Sequence, residues 1–325
     1  MKILVTGASG FIGKHLVRRL VEKHKVKCLV RESSNVEELK KLKVELVYGG
    51  LLDKKSLANA VKNVDVVYHL AAVLGSKAED KKDIWDANVE GTRNIIDAAC
   101  KAKVSKFVHF STFLVYGYTD EPATEETPYT AETTFYGKSK RKSEEVVKEY
   151  SDKIKTVIIQ PTIIHGEGLD FGFSSLFPAI QNGKFMFIGN GENLQHLGYI
   201  ENFIEGALLA GEKKEAVGKK YIIGDEAPIT FNLLVENIAD ILNVKASKVH
   251  LNEKIARMSV FPLKILSKLT NTNPLLDNKR INFMVNNQAG NISKIKKELG
   301  YKPKISSRDG LEKTIEYYKK TGFLR

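Results

Sequence analysis

Lys2-Ile3-Leu4-Val5-Thr6-Gly7-Ala8-Ser9-Gly10-Phe11-Ile12-Gly13 passes from an apolar, partly β-branched run into three evenly spaced glycines, and a helical pattern follows. Each glycine has a mechanical use. Gly7 permits a sharp turn out of a strand, Gly10 lets backbone approach a phosphate, and Gly13 lets the next helix lie close on the sheet. The first-turn N–H groups of that helix, at its positive end, then face the same point. The stretch therefore predicts a strand, turn and helix that hold a dinucleotide, through Gly7, Ser9, Gly10, Phe11, Ile12 and Gly13.

Working outward, VKCLV, VELVY, VDVVYHL, Lys106 to Ser111 and Thr156 to Gln160 alternate with helical patterns near Val36 to Leu42, from Lys54, from Ile84 to Cys100 and from Phe135 to Tyr150. Continuous apolar strands joined by helices predict a parallel sheet covered on both faces. Six strands run in order, with a seventh near Tyr221 to Ile223. The predicted fold class is α/β, a Rossmann-type doubly wound parallel sheet with a smaller, mostly helical substrate-binding part. Residues 1–162 with about 198–227 are expected to form the dinucleotide-binding domain. Those at about 163–197 with 228–325 would form the substrate-binding domain.

The 325 residues are 42% hydrophobic and 28% charged, which suits a globular enzyme and excludes extensive disorder. A net charge of +12 is spread over many helices among Glu and Asp, so it predicts a solvated surface, compatible with an anionic ligand, and no nucleic-acid partner. The start of the chain runs straight into the first strand, with no signal-peptide pattern, and no apolar run is long enough for a membrane span. A cytoplasmic location is expected. Cys28 and Cys100 read as core, and His165 and His196 lack a third ligand, so no metal is expected. The apolar segment Ile255 to Leu269, with Met258, Phe261, Leu263, Ile265 and Leu266, reads as ordinary core, with the lining of a lipophilic pocket as the alternative.

At the end of the second strand, Val30-Arg31-Glu32-Ser33-Ser34 places Arg31 where a carboxylate would otherwise select the ribose hydroxyl of NAD. NADP is therefore favoured over NAD. Glu32, one residue later, argues the other way.

Tyr136-Gly137-Lys138-Ser139-Lys140 sets a Tyr and a Lys one turn apart on one helix face. A free phenol titrates near about 10, and a neighbouring ammonium, helped by a positive nicotinamide ring, is expected to draw it down. Tyr136 can then exchange a proton with a carbonyl or hydroxyl. The fifth strand ends Phe110-Ser111-Thr112-Phe113, where Thr112 is expected to polarise a substrate oxygen, with Ser111 as the alternative and Phe113 beside it in the substrate site.

The chain resembles the extended short-chain dehydrogenases/reductases, which include nucleotide-sugar epimerases and dehydratases, dihydroflavonol reductases and 3β-hydroxysteroid dehydrogenases. The likeness rests on Thr6 to Gly13, His69-Leu70-Ala71-Ala72, Asn88-Val89-Glu90-Gly91-Thr92, Val115-Tyr116-Gly117, Tyr136 to Lys140, and Ser293-Lys294 to Leu299-Gly300-Tyr301. It implies that Thr112, Tyr136 and Lys140 are catalytic and that Lys140 also binds the nicotinamide ribose. Leu70, Ala71 and Ala72 would pass beside the cofactor, Pro161 and Ile163 would border the nicotinamide, and Asn88 would brace the long helix. A homodimer on the helices from Ile84 and Phe135 is also implied.

Departures from the family pattern bear on the ligands. Gly50 stands in Gly49-Gly50-Leu51 where the family has an Asp for adenine, leaving the Leu51 backbone to bind it and Asp53 off register. Ile163 and Gln195 replace the Asn and Arg that grip diphosphate in nucleotide-sugar epimerases, and neither makes a charge-assisted contact. Gln195 and Arg280 are the expected substrate contacts, with Lys279 as a further cation. These changes favour a reductase or dehydrogenase acting on a small-molecule carbonyl or secondary alcohol. The alternative is a nucleotide-sugar epimerase or dehydratase that keeps NAD bound. A non-catalytic scaffold has no need for the paired phenol and ammonium.

Overall fold

The computed structural model describes residues 1–75, 80–131, 133–169, 173–269 and 276–324. Its central sheet contains β1 (Lys2–Thr6), β2 (Lys25–Val30), β3 (Val44–Tyr48), β4 (Val66–His69), β5 (Lys106–Phe110), β6 (Lys155–Pro161) and β7 (Lys220–Ile223). The spatial order is β7-β6-β5-β4-β1-β2-β3, and every pairing is parallel. The order reverses beside β1, so the crevice beyond the carboxyl ends of β1 and β4 is where such a sheet accepts a ligand.

Alternate residues explain why the strands are apolar throughout. Ile3 and Val5 enter one core with Leu16 and Phe203, while Leu4 enters the other with Leu57, Ile95 and Val147. Helices Phe11–Leu20 and Ile200–Glu212 contribute to the first core, and Lys54–Ala60, Gly91–Lys101 and Phe135–Glu149 to the second. Edge strand β3 is the least buried of the seven, with one side open, whereas the other edge strand, β7, is covered. Truncating a fully buried residue such as Leu16 to Ala should cost about 2–5 kcal/mol.

Two helices differ from the sequence pattern. The segment expected to run from Ile84 to Cys100 begins at Lys81–Trp85, widens into a π-helical turn over Asp86–Glu90 and continues as Gly91–Lys101. Periodicity alone does not reveal such a bulge. The helix expected near Val36 to Leu42 shortens to one turn, Glu37–Lys40.

Past β6, three short pairs form: Ile163–His165 with Leu197–Tyr199, Leu194–Gln195 with Ile229–Thr230, and Phe187–Ile188 with His250–Leu251. A third core joins Phe177, Phe187, Phe231, Leu234, Leu311 and Ile315. The segment expected as ordinary core is corrected here. On the helix Glu253–Leu269, Met258 and Phe261 are 78% and 72% exposed, because only the opposite side, with Ala256 and Val260, packs on Ile188 and Ile281. The Ile265 and Leu266 side chains lie outside the described residues.

Candidate active site

The glycine turn is shaped by close packing. Gly7 has φ +73°, and a Cβ there would lie 2.7 Å from the backbone nitrogen of Ala71. At Gly13 a Cβ would lie 2.1 Å from the Gly7 carbonyl oxygen, so helix Phe11–Leu20 can rest on the turn only without a side chain. Gly10 is different. Its imagined Cβ meets only the Gly7 carbonyl, at 3.3 Å, leaving open space on the outer side. Gly10 also begins the helix without a side-chain cap, so the first-turn donors stay available to an anion. This cradle fits a dinucleotide diphosphate.

Behind the turn, Thr6 and His69 join the tips of β1 and β4, with Oγ1 and Nδ1 2.7 Å apart. His69 Nε2 lies 3.0 Å from Thr92 Oγ1, whose hydroxyl donates to the Asn88 carbonyl. Burial, with the nearby Lys140 charge, lowers the His69 pKa to about 3, so the ring is neutral. Asn88 is fully buried in the π turn: its Nδ2 donates to Val73 O at 3.0 Å and Ser139 Oγ at 2.9 Å, and its Oδ1 accepts from Val73 N. It thus ties the loop after β4 to the helix bearing Tyr136. Leu70, Ala71 and Ala72 are half-buried along that loop.

Helix Phe135–Glu149 starts at Thr134, whose Oγ1 accepts from Gly137 N at 3.0 Å. A Cβ on Gly137 would lie 2.9 Å from Leu114 O, so the helix presses on the turn that follows Thr112. Thr133 Oγ1 donates to Leu114 O at 2.7 Å and Arg141 Nε to Val115 O, locking the two segments together. Thr112 accepts from Leu114 N at 3.3 Å, which leaves its own hydroxyl proton to donate. The Ser111 hydroxyl instead donates to the buried Glu144 carboxylate.

Tyr136 is half-buried, and burial raises its phenol pKa above the ordinary value. The lowering expected from Lys140 and a positive nicotinamide ring together is not produced by the chain's own groups, among which burial prevails. Burial also lowers Lys140 to about 7, against the opposing pull of Glu144, so desolvation governs both groups. In this state Tyr136 carries its proton.

Glu144, one turn beyond Lys140, was not singled out from sequence. It accepts from Tyr129 OH at 2.7 Å and Gln160 Nε2 at 2.9 Å besides Ser111, and Gln160 accepts from Tyr116. The repeat of four from Tyr136 through Lys140 to Glu144 was the available signal.

The remaining expected residues lie on separate elements. Phe113 and Pro161 are buried, while Ile163 and Leu51 are half-buried. Gln195 is fully buried, and its Nε2 donates to Phe283 O at 3.0 Å and Asn286 O at 3.3 Å. Arg280 is exposed on helix Asn278–Val285, and Arg31 is exposed just past β2. Asp53 caps the helix Lys54–Ala60 by accepting from Lys55 N. Among the described residues, no group of three or more His, Cys, Asp or Glu is placed to hold a metal.

The pattern of the NAD dependent epimerase/dehydratase family matches residues 3–224. The chain belongs to this family. It is an enzyme of the extended short-chain dehydrogenase/reductase type. Across 97% of its length, the enzyme is 28% identical to N-acetyl-alpha-D-glucosaminyl-diphospho-ditrans,octacis-undecaprenol 4-epimerase of Escherichia coli O157:H7, covering 94% of that protein. Across 98% it is 29% identical to the decarboxylating sterol-4-alpha-carboxylate 3-dehydrogenase of Mus musculus, covering 91%. The crystal structure of UDP-glucuronic acid 4-epimerase from Bacillus cereus, in complex with UDP-glucuronic acid and NAD, superposes with TM-score 0.79 at 25% identity, covering 99% of this chain and 100% of that one.

Proposed function

We propose that the enzyme is an NADP-preferring reductase or dehydrogenase acting on a ketone or secondary alcohol of a lipophilic molecule. The observation that carries the reading is the pairing of a protonated Tyr136 and a free Thr112 donor with Gln195, an uncharged amide whose Nε2 is committed to backbone, where a diphosphate-gripping cation would stand. The curated relatives named above act on a polyprenyl-linked sugar and on a sterol, which supports a lipid-borne substrate.

The glycine turn, Leu51, Leu70 to Ala72, Pro161 and Ile163 would hold the dinucleotide, with Asn88 bracing the site and Arg31 selecting the 2′-phosphate. Bound there, the dinucleotide supplies hydride exchange at its nicotinamide ring. Thr112 donates a hydrogen bond to the substrate oxygen, and Tyr136 delivers a proton to that oxygen in reduction or removes it in oxidation. Lys140, when protonated, stabilises the phenolate that remains. Phe113 and Arg280 border the substrate. A cytoplasmic homodimer through Gly91–Lys101 and Phe135–Glu149 completes the proposal, and light scattering of the purified chain tests it.

The undecaprenyl-linked relative favours a second reading, 4-epimerisation, in which the same residues first oxidise and then reduce one carbon. Acid release and chromatography of any dinucleotide retained by the purified enzyme separates the two. Empty protein that oxidises NADPH stoichiometrically with a ketone supports the reductase; tightly held NAD after gel filtration, without net redox turnover, supports the epimerase.

A further inference from the structure

Of eleven large apolar side chains that stand exposed among the described residues, five belong to one corner: Met186, Val249, Ile255, Met258 and Phe261. Phe187 pairs with His250, so Met186 and Val249 enter that short strand pair side by side, and helix Glu253–Leu269 follows it directly. Ile255, Met258 and Phe261 recur every third residue on one helix face. Ala256 and Val260 take the opposite face and fill the contact with Ile188 and Ile281. The outward stripe therefore contributes nothing to a core, and a cluster of this kind marks a contact surface.

The charge around the stripe says what covers it. Between residues 241 and 276 the sequence has six Lys or Arg and one acidic residue, Glu253, which pairs with Arg257. Lys248 and Lys254 are exposed beside the apolar side chains. Among the described residues no helix is long and apolar enough to cross a membrane. Exposed apolar residues framed by lysines on a non-spanning helix suit the interface of an anionic bilayer. A two-fold contact with a second copy would instead gather Lys248 and Lys254 of both copies, four like charges, into one seam.

We propose that this corner docks on an anionic phospholipid bilayer, with Ile255, Met258 and Phe261 entering the headgroup boundary and Lys248 and Lys254 facing lipid phosphates. The docked corner reaches the active-site rim. Helix Asn278–Val285 packs on it through Ile281, and Lys279 of that helix donates to Gly75 O, in the loop after β4. That a lipid-borne substrate enters from the bilayer rests on the proposed function; the docking itself does not.

Vesicle sedimentation of the full-length enzyme tests the surface, using phosphatidylcholine alone and phosphatidylcholine mixed with phosphatidylglycerol. The enzyme is expected to sediment with the anionic vesicles, less so at high salt, and to leave the neutral ones. Both M258D/F261D and K248E/K254E should lower that partition about tenfold. Unchanged binding of NADPH or NADH by fluorescence shows that each variant is folded; if M258D/F261D does not fold, K248E/K254E alone decides. No binding by the wild type, or full binding by a folded variant, overturns the proposal. So does a wild-type dimer that M258D/F261D converts to monomer, since the face then belongs to a second copy. Vesicle binding without turnover of any lipid-borne ketone supports the docking surface and counts against the proposed reaction.

Discussion

The amino group of Lys140 lies 3.5 Å from Nε2 of His109, deep behind the crevice, where both side chains are buried. His109 Nε2 is also 3.0 Å from Ser143 Oγ, and its Nδ1 has no partner. Burial and the adjacent Lys140 hold the imidazole well below its usual pKa, so it stays neutral. Lys140 therefore faces a neutral ring and is itself lowered from 10.5 to about 7. Below pH 7 the folded and unfolded chains both carry the ammonium, and its full desolvation cost, a few kcal/mol, opposes folding. Between pH 7 and 10.5 the unfolded chain binds the extra proton, so stability rises with pH, and above that window the cost is gone. Lys140→Met should accordingly raise the melting temperature of dinucleotide-free protein at pH 6, with a gain that shrinks towards pH 10, while abolishing turnover. A lower melting temperature at pH 6 would show that the contacts of the ammonium outweigh its burial.

Tyr136 has a different signature, because the proton transfer proposed for its hydroxyl does not require that hydroxyl to hold the fold together. Removing it by Tyr136→Phe takes away no hydrogen bond between described residues. Dinucleotide affinity should stay within about twofold. Turnover should fall by about 10²–10⁴-fold if the phenol is the general acid. Near-normal turnover would assign that proton transfer to another group.

The order of the strands and the glycine turn were legible because each is written in short-range periodicity: β1 is apolar on both faces, and Gly7, Gly10 and Gly13 stand at fixed intervals. Tyr136 and Lys140 were legible for the same reason, one turn apart on a helix. Long-range relations were not. Nothing local announces that Asn88 would bind Val73 and Ser139 and open a π turn, or that Glu144 would gather Ser111, Tyr129 and Gln160 from other elements. The exposure of Met258 and Phe261 was equally hidden, since an apolar stripe looks the same whether a second layer covers it or not. The raised phenol of Tyr136 depends on three-dimensional burial, which spacing does not report.

Arg31 is free to act on a ligand because its side chain is exposed and only its backbone is engaged, the N–H donating to Ser34 Oγ and the carbonyl accepting from Ser34 N. If it receives the 2′-phosphate, Arg31→Ala should weaken NADPH binding by about 10–100-fold and leave NADH nearly unchanged, as expected for a charge-assisted bond. Fluorescence titration with both cofactors measures the ratio. An equal loss for NADPH and NADH would remove Arg31 from the selection of the 2′-phosphate and shift attention to Glu32.

Gly10 and Gly13 sit in one turn, yet an added methyl should separate their roles. At Gly13 the methyl would collide with Gly7 O at 2.1 Å and with Ala8 Cα at 2.8 Å, both backbone atoms that cannot swing aside. Gly13→Ala should therefore displace helix Phe11–Leu20 and cost about 1–3 kcal/mol of stability, with dinucleotide binding lost as a consequence. At Gly10 the methyl meets only Gly7 O at 3.3 Å, and φ there is −78°, a value that alanine adopts freely. Gly10→Ala should leave chemical denaturation almost unchanged while weakening the dinucleotide at least about tenfold if the methyl occupies the space proposed for the diphosphate. Denaturant midpoints and dinucleotide titrations of the two variants make the comparison. Unimpaired binding by a stable Gly10→Ala protein would place the diphosphate away from this turn.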